Sequence, residues 1–143
     1  MYIEFSKTNK KQQRIIEDAL WFAKSYLLPK HKIDEIHVES VKRWDYKDGD
    51  CYDTDDRSYH IRVRKNMSED VLIKTIFHEF AHIKQSIKKE YGDIFGILSD
   101  DESWISYDDR PYEMDAFKLE NEMFDKYAKD GKFKFSIDGN FSL

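Results

Sequence analysis

Cysteine is almost missing from this chain of 143 residues: Cys51 stands alone, so no internal disulfide can form and a cysteine-rich zinc site is excluded. Proline is nearly as scarce, with Pro29 and Pro111 only, and five glycines leave no Gly- or Pro-rich linker. No apolar run approaches the roughly 18–20 residues that cross a bilayer. The N-terminal MYIEFSKTNKKQQR is basic but lacks the apolar stretch of a secretory signal. These absences point to a reducing, cytoplasmic setting with no membrane partner. A basic excess is missing too. Lys+Arg total 24 against 29 Asp+Glu, a net charge of −5, whereas counterion release from phosphates rewards the opposite sign. General nucleic-acid binding is therefore not expected. What is present is 40% hydrophobic, 15% aromatic and 37% charged sequence, enough for one core under a heavily solvated surface. One domain over residues 1–143 is expected.

Apolar positions at Ile15, Ile16, Ala19, Leu20, Phe22, Ala23 and Leu27 predict a helix over about 10–27, ended by Pro29. Ile36 and Val38 alternate in one extended candidate, and Tyr59, Ile61 and Val63 in another. Asp48-Gly49, between Tyr46 and Tyr52, reads as a hairpin turn. Ser68 reads as the N-cap of a second helix running to about Glu90, with Glu69 and Asp70 where the helix dipole favours acid. The stretch GDIFGILSDDESWISYDDR reads as loop. Pro111 opens another helix to about Lys129, and Phe133, Phe135 and Ile137 alternate in the tail.

The chemistry concentrates in His78-Glu79-Phe80-Ala81-His82. Residues four apart stand one helical turn apart on one face, with Cβ atoms about 5–6 Å apart. Two imidazoles so placed can converge on one zinc at about 2.0–2.1 Å. Glu79 can then act as general base on a water that zinc acidifies to a pKa of about 7. Stepping 100° per residue, Leu72, Ile76, Phe80, Ile83 and Ile87 make one apolar stripe about 80° wide, and both histidines fall nearly opposite it. Core packing on that stripe does not account for them. Either they face water or something roofs them.

A third ligand must come from elsewhere. His31, His37 and His60 all precede the motif, so the downstream choices are carboxylates. Glu113 is the best placed, in the first turn of the helix after Pro111 and on a rigid element. Asp115 is the fallback, as ligand or as a partner for an imidazole N–H. Tyr107 is the choice for oxyanion stabiliser, with Arg110 and Tyr112 nearby.

HEFAHIKQ followed some thirty residues later by RPYEMDAF resembles minimal gluzincin-type zinc peptidases (HExxH plus a downstream Glu), most closely the ImmA/IrrE-type and phage-associated small metallopeptidases. The resemblance spans about residues 59–125 and places Glu113 in the family's E-x-x-A context, Glu113-Met114-Asp115-Ala116. It implies a zincin-like α+β fold: an N-terminal helix, a small mostly antiparallel sheet, the HExxH helix, and a later helix carrying the third ligand. It also implies an edge strand ahead of the active helix that pairs with substrate backbone, a place held in chain order by residues 59–65. In the larger thermolysin-type relatives an aspartate four residues after the glutamate ligand supports a histidine; here that position is Phe117.

The expected function is zinc-dependent hydrolysis of a peptide or protein substrate, with one zinc ion on His78, His82 and Glu113. Glu79 would serve as base and then as acid to the leaving amine. The alternative is a zinc-stabilised, non-catalytic protein-binding or regulatory module, in which a protein ligand closes the fourth coordination position. The aspartates around Cys51 lack the glycine and glutamate spacing of a calcium loop and read as a solvated turn. They would also repel a thiolate, so Cys51 is not a nucleophile.

Overall fold

The computed structural model describes residues 1–42, 44, 47–99 and 110–131. The chain is α+β, in the order β1 (Tyr2–Ser6), α1 (Lys10–Leu27), β2 (Glu35–Val41), β3 (Gly49–Asp55), β4 (Ser58–Arg64), α2 (Glu69–Ile87), α3 (Ile94–Ser99) and α4 (Pro111–Lys126), with one π-helical turn after it, Tyr127–Gly131. Among the described residues no helix is long and apolar enough to cross a membrane.

Local chemistry sets the helix ends. Asn9 caps α1 in a reciprocal box with Gln12. The Ser68 hydroxyl accepts from the Val71 amide at the start of α2, with Glu69 and Asp70 in the first turn. Pro111 occupies the tolerated first position of α4. Gly92, at φ +76°, turns the chain after α2 where a side chain would be strained.

The sheet order is β1-β2-β4-β3. β1 and β2 run parallel, β2 and β4 run parallel, and only β3–β4 is antiparallel. The expectation of a mostly antiparallel sheet is thus corrected. Helix α1 carries the chain from β1 back to enter β2 in the same direction, as parallel pairing requires. The hairpin turn is also displaced. It lies at Asp56–Arg57, with Arg57 at φ 60°, and Gly49 instead begins β3. Segment 94–99, expected as loop, holds the short helix α3. The tail residues Phe133, Phe135 and Ile137 lie outside the described residues.

Burial alternates along β2 and β4. Ile36, Val38, Tyr59, Ile61 and Val63 face the core, while Glu4, His37, His60 and Tyr52 form a register row across the other face. Helix α2 is the hub, packed against α1, α3, α4, β3 and β4. Phe77 locks three helices together. Its ring stands 5.7 Å from Phe22 of α1 and 5.5 Å from Tyr127 beyond α4, whose hydroxyl bonds Asp18.

Phe77 is fully buried. Phe77→Ala is expected to destabilise the fold by about 3–5 kcal/mol through lost transfer energy and a residual cavity. Denaturant unfolding followed by far-UV circular dichroism measures it.

Candidate metal centre

Helices α2 and α4 run side by side in opposite directions, Lys74 near Phe124 and Gln85 against Tyr112. Helix α4 is the roof that the histidine face of α2 required. Its apolar side, with Tyr112, Ala116 and Met123 buried, carries Glu113 on its flank into the interface. There His78 (6% exposed), His82 (1%) and Glu113 (0%) converge. The Glu113 Oε1 atom lies 2.8 Å from His78 Nε2 and 3.1 Å from His82 Nε2.

The outer imidazole nitrogens decide what this junction can hold. Gln85 Nε2 faces two oxygens, Tyr112 O and Asp115 Oδ2, each at 2.9 Å, so its Oε1 must face His82 Nδ1 at 2.8 Å as an acceptor. His82 Nδ1 therefore carries a proton. His78 Nδ1 likewise donates to Glu120 Oε1 at 3.0 Å. A neutral imidazole protonated at Nδ1 has only a lone pair at Nε2. Two such lone pairs and a carboxylate oxygen then point at one another, and something positive has to lie among them: additional protons or a metal ion.

The donor set fits a divalent cation. The three ligand atoms lie within 4.8 Å of one another, and among the described residues Glu113 Oε2 is buried with no hydrogen-bond partner. Neighbouring ligands of a tetrahedral zinc stand about 3.3 Å apart, so each Glu113–histidine separation would open by only a few tenths of an ångström. Outer hydrogen bonds that fix ring orientation and tautomer are the usual accompaniment of histidine ligands.

Without a metal ion, protons fill the same role. Burial pulls the His78 imidazolium down, but hydrogen bonds to Glu113 and Glu120 outweigh it and hold it up at about 10. Burial pushes Glu113 up, yet His78 and His82 outweigh that and hold it down at about 2. Glu79 is buried beside the ligands, and burial raises its carboxyl pKa against the opposing pull of His78 and His82.

The remaining expectations divide. Asp115 is not among the converging ligands and reaches His82 only through Gln85. Tyr107 lies outside the described residues. Tyr112 is buried, with its ring 6.2 Å from Tyr91. β4 is an inner strand, and β3 is the edge nearest α2. Arg62 and Arg64 bind Asp50 and Asp48 across the β3–β4 pair, at 2.9 Å in each case. Burial pushes the Cys51 thiol up, in keeping with an inert cysteine.

Two supporting residues escaped the sequence reading. Gln85 follows His82 by three positions and Glu120 follows Glu113 by seven, both spacings that keep residues on one helix face. Phe117 packs on the His78 ring, centroids 4.6 Å apart, and the support for that histidine comes from the next turn. Compared with protein-family models, curated proteins and solved structures, the chain matches none.

Two measurements follow from this geometry. Glu120→Ala is expected to weaken the site's affinity for a divalent cation about 10–100-fold while leaving all three candidate ligands in place, read by chelator competition. In the metal-free protein, the raised His78 pKa contributes stability that is complete below its ordinary 6.5 and lost as pH rises toward about 10. The depressed Glu113 pKa contributes stability that is complete above its ordinary 4.5 and lost as pH falls toward about 2. Thermal midpoints should therefore fall on both sides of the window between those ordinary values, and Glu113→Gln should flatten both limbs.

Proposed function

We propose that this chain is a zinc-dependent peptidase of zincin-like build, related in plan to the minimal gluzincins that its HEFAHIKQ and RPYEMDAF segments resemble. The observation that carries the reading is the buried meeting of His78 Nε2, His82 Nε2 and Glu113 Oε1, with both outer imidazole nitrogens already committed to acceptors.

In this proposal His78, His82 and Glu113 hold the ion. Zinc in such a site supplies Lewis acidity, which lowers the pKa of water to about 7 and polarises a carbonyl. Glu79 does the proton work. It follows the first imidazole on the same helix, and burial raises its pKa above the ordinary carboxylate value, which makes it a stronger base for the water's proton. Its Oε takes a proton from the attacking water and delivers it to the departing amine. Gln85 and Glu120 keep the imidazoles in the tautomer that presents a lone pair to the ion.

Substrate access favours the side of β3. Residues Lys47, Asp48 and Gly49 line a cavity together with His78 and Glu79, so an extended peptide along this edge would bring its backbone to Glu79. The supporting evidence for an open fourth position, against a closed structural zinc, is the engagement of Asp115 by Gln85.

Zinc content and turnover test the proposal together. Wild type should bind one zinc per chain, and Glu113→Ala should lose most of it. Glu79→Gln should keep zinc but lose about 100- to 10,000-fold in peptide hydrolysis. His78→Ala should lose both. Full activity in the Glu79→Gln protein would overturn the mechanism.

A further inference from the structure

The cavity beside the three ligands measures about 610 Å³, walled by the start of β3, the first half of α2, and Phe117 and Glu120 of α4. That size falls within the roughly 300–1,000 Å³ of small-ligand sites. Its charged lining is largely committed elsewhere. Asp48 binds Arg64 at 2.9 Å, Lys47 binds Asp50 at 3.0 Å, and Glu120 accepts from His78. The Lys74 ammonium rests over the Phe124 ring at 4.8 Å.

What remains to meet a ligand is carbon. Val71 on α2 is 36% exposed and Phe117 on α4 is 37% exposed, and both line this cavity. Single exposed apolar residues carry no meaning on a protein surface. Here two of them, one from each helix, border the same space as Glu79. Gly49 closes the opposite wall tightly: a Cβ there would stand 2.6 Å from Thr75 Cγ2 and 3.6 Å from Glu79 Oε2.

Resting on the peptidase reading, we infer that this cavity is a specificity pocket for a large apolar side chain on the substrate residue next to the scissile bond, selected by Val71 and Phe117. Since His78 and Glu79 form one wall, a side chain seated there belongs to a residue flanking the bond under attack. A charged substrate side chain would have to displace an existing pair, draw the Lys74 ammonium off the Phe124 ring, or lie against Val71 and Phe117 without a counter-charge. A leucine, methionine or phenylalanine side chain covers both and disturbs neither. A single methylene in an apolar pocket discriminates by roughly 10–200-fold.

The test uses the zinc-loaded full chain and a peptide mixture varied at one position, with cleavage read by mass spectrometry. Peptides with Leu, Met or Phe at the selected position should be cleaved with kcat/KM at least about tenfold above those with Ala, Ser, Asp or Lys. Val71→Asp should erase that preference or turn it toward Lys and Arg. Val71→Thr, nearly the same shape with a hydroxyl, should reduce it several-fold and serves if the aspartate variant does not fold. A readout without turnover uses zinc-loaded Glu79→Gln, where a leucine peptide should shift the Val71 methyl resonances and its serine counterpart should not. Cleavage without apolar preference, or a preference unchanged in the Val71 variants, overturns the pocket and leaves the peptidase reading standing. If no peptide is cleaved by zinc-loaded wild type, the peptidase reading falls, and the absence of the methyl shift then overturns the pocket as well.

Discussion

A carboxylate buried between two imidazoles is the constraint on which the rest of this structure turns. Glu113 is entirely covered, and a lone charge so placed would cost several kcal/mol. It persists because His78 and His82 face it from α2, and that pairing fixes how α2 and α4 must cross. The apolar contacts around it bring the helices together but leave their axial register loosely set. Ile73, Ile76, Phe77, Phe80 and Ile83 secure α2 to the core, while Tyr112, Ala116 and Met123 secure α4. The polar junction adds register. A slide of one turn would take Glu113 away from both imidazoles and leave three buried polar groups unpaired.

The three long helices and the polar face of α2 were legible in the sequence because helical periodicity is a local signal. The ends of α1 at Lys10 and Leu27, the Ser68 cap and the Pro111 start all agree with that reading. The sheet was less legible, since strand direction and order depend on partners distant in sequence. β1 is five residues whose only cue is Ile3 and Phe5. The misplaced turn has a specific cause. Asp48-Gly49 carries the favoured hairpin dipeptide, yet Gly49 sits in a strand because α2 approaches it too closely for a side chain. The real turn spends a positive φ on Arg57, a residue with no turn signature. Local preference at both positions yields to packing.

At the candidate metal centre the split between legible and hidden residues follows the kind of signal each leaves in the sequence. The convergence of His78, His82 and Glu113 was legible because metal ligation would demand residue types and spacings that a one-dimensional pattern can express. Gln85 and Glu120 were hidden, since an amide or a carboxylate on a helix flank ordinarily faces water. Phe117 shows why a family pattern alone would misplace the support for His78. Position 117 holds a phenylalanine here, and Glu120, one turn further along, accepts from the His78 Nδ1–H. The ring left at position 117 then packs on the imidazole and borders the cavity.

A second cluster in the same molecule satisfies its histidine in a different way. Glu4, Glu35 and His37, on the outer sheet face, also bring ligand atoms within 4.8 Å of one another. There His37 Nδ1 meets Glu4 at 3.0 Å and Nε2 meets the Ser6 hydroxyl at 2.6 Å. One N–H for the carboxylate and one lone pair for the hydroxyl satisfy a neutral ring completely. The neighbouring His60 stacks on His37 at 4.8 Å and meets one carboxylate, Glu39. These groups are partly exposed, so water can complete whatever protein does not. At His78 and His82 neither remedy exists. Each ring has an acceptor at both nitrogens, and burial leaves little room for water to intervene. A neutral ring has one proton for two acceptors, and only a positive centre removes that deficit. The count of lone pairs against protons, more than the residue types, separates the two clusters.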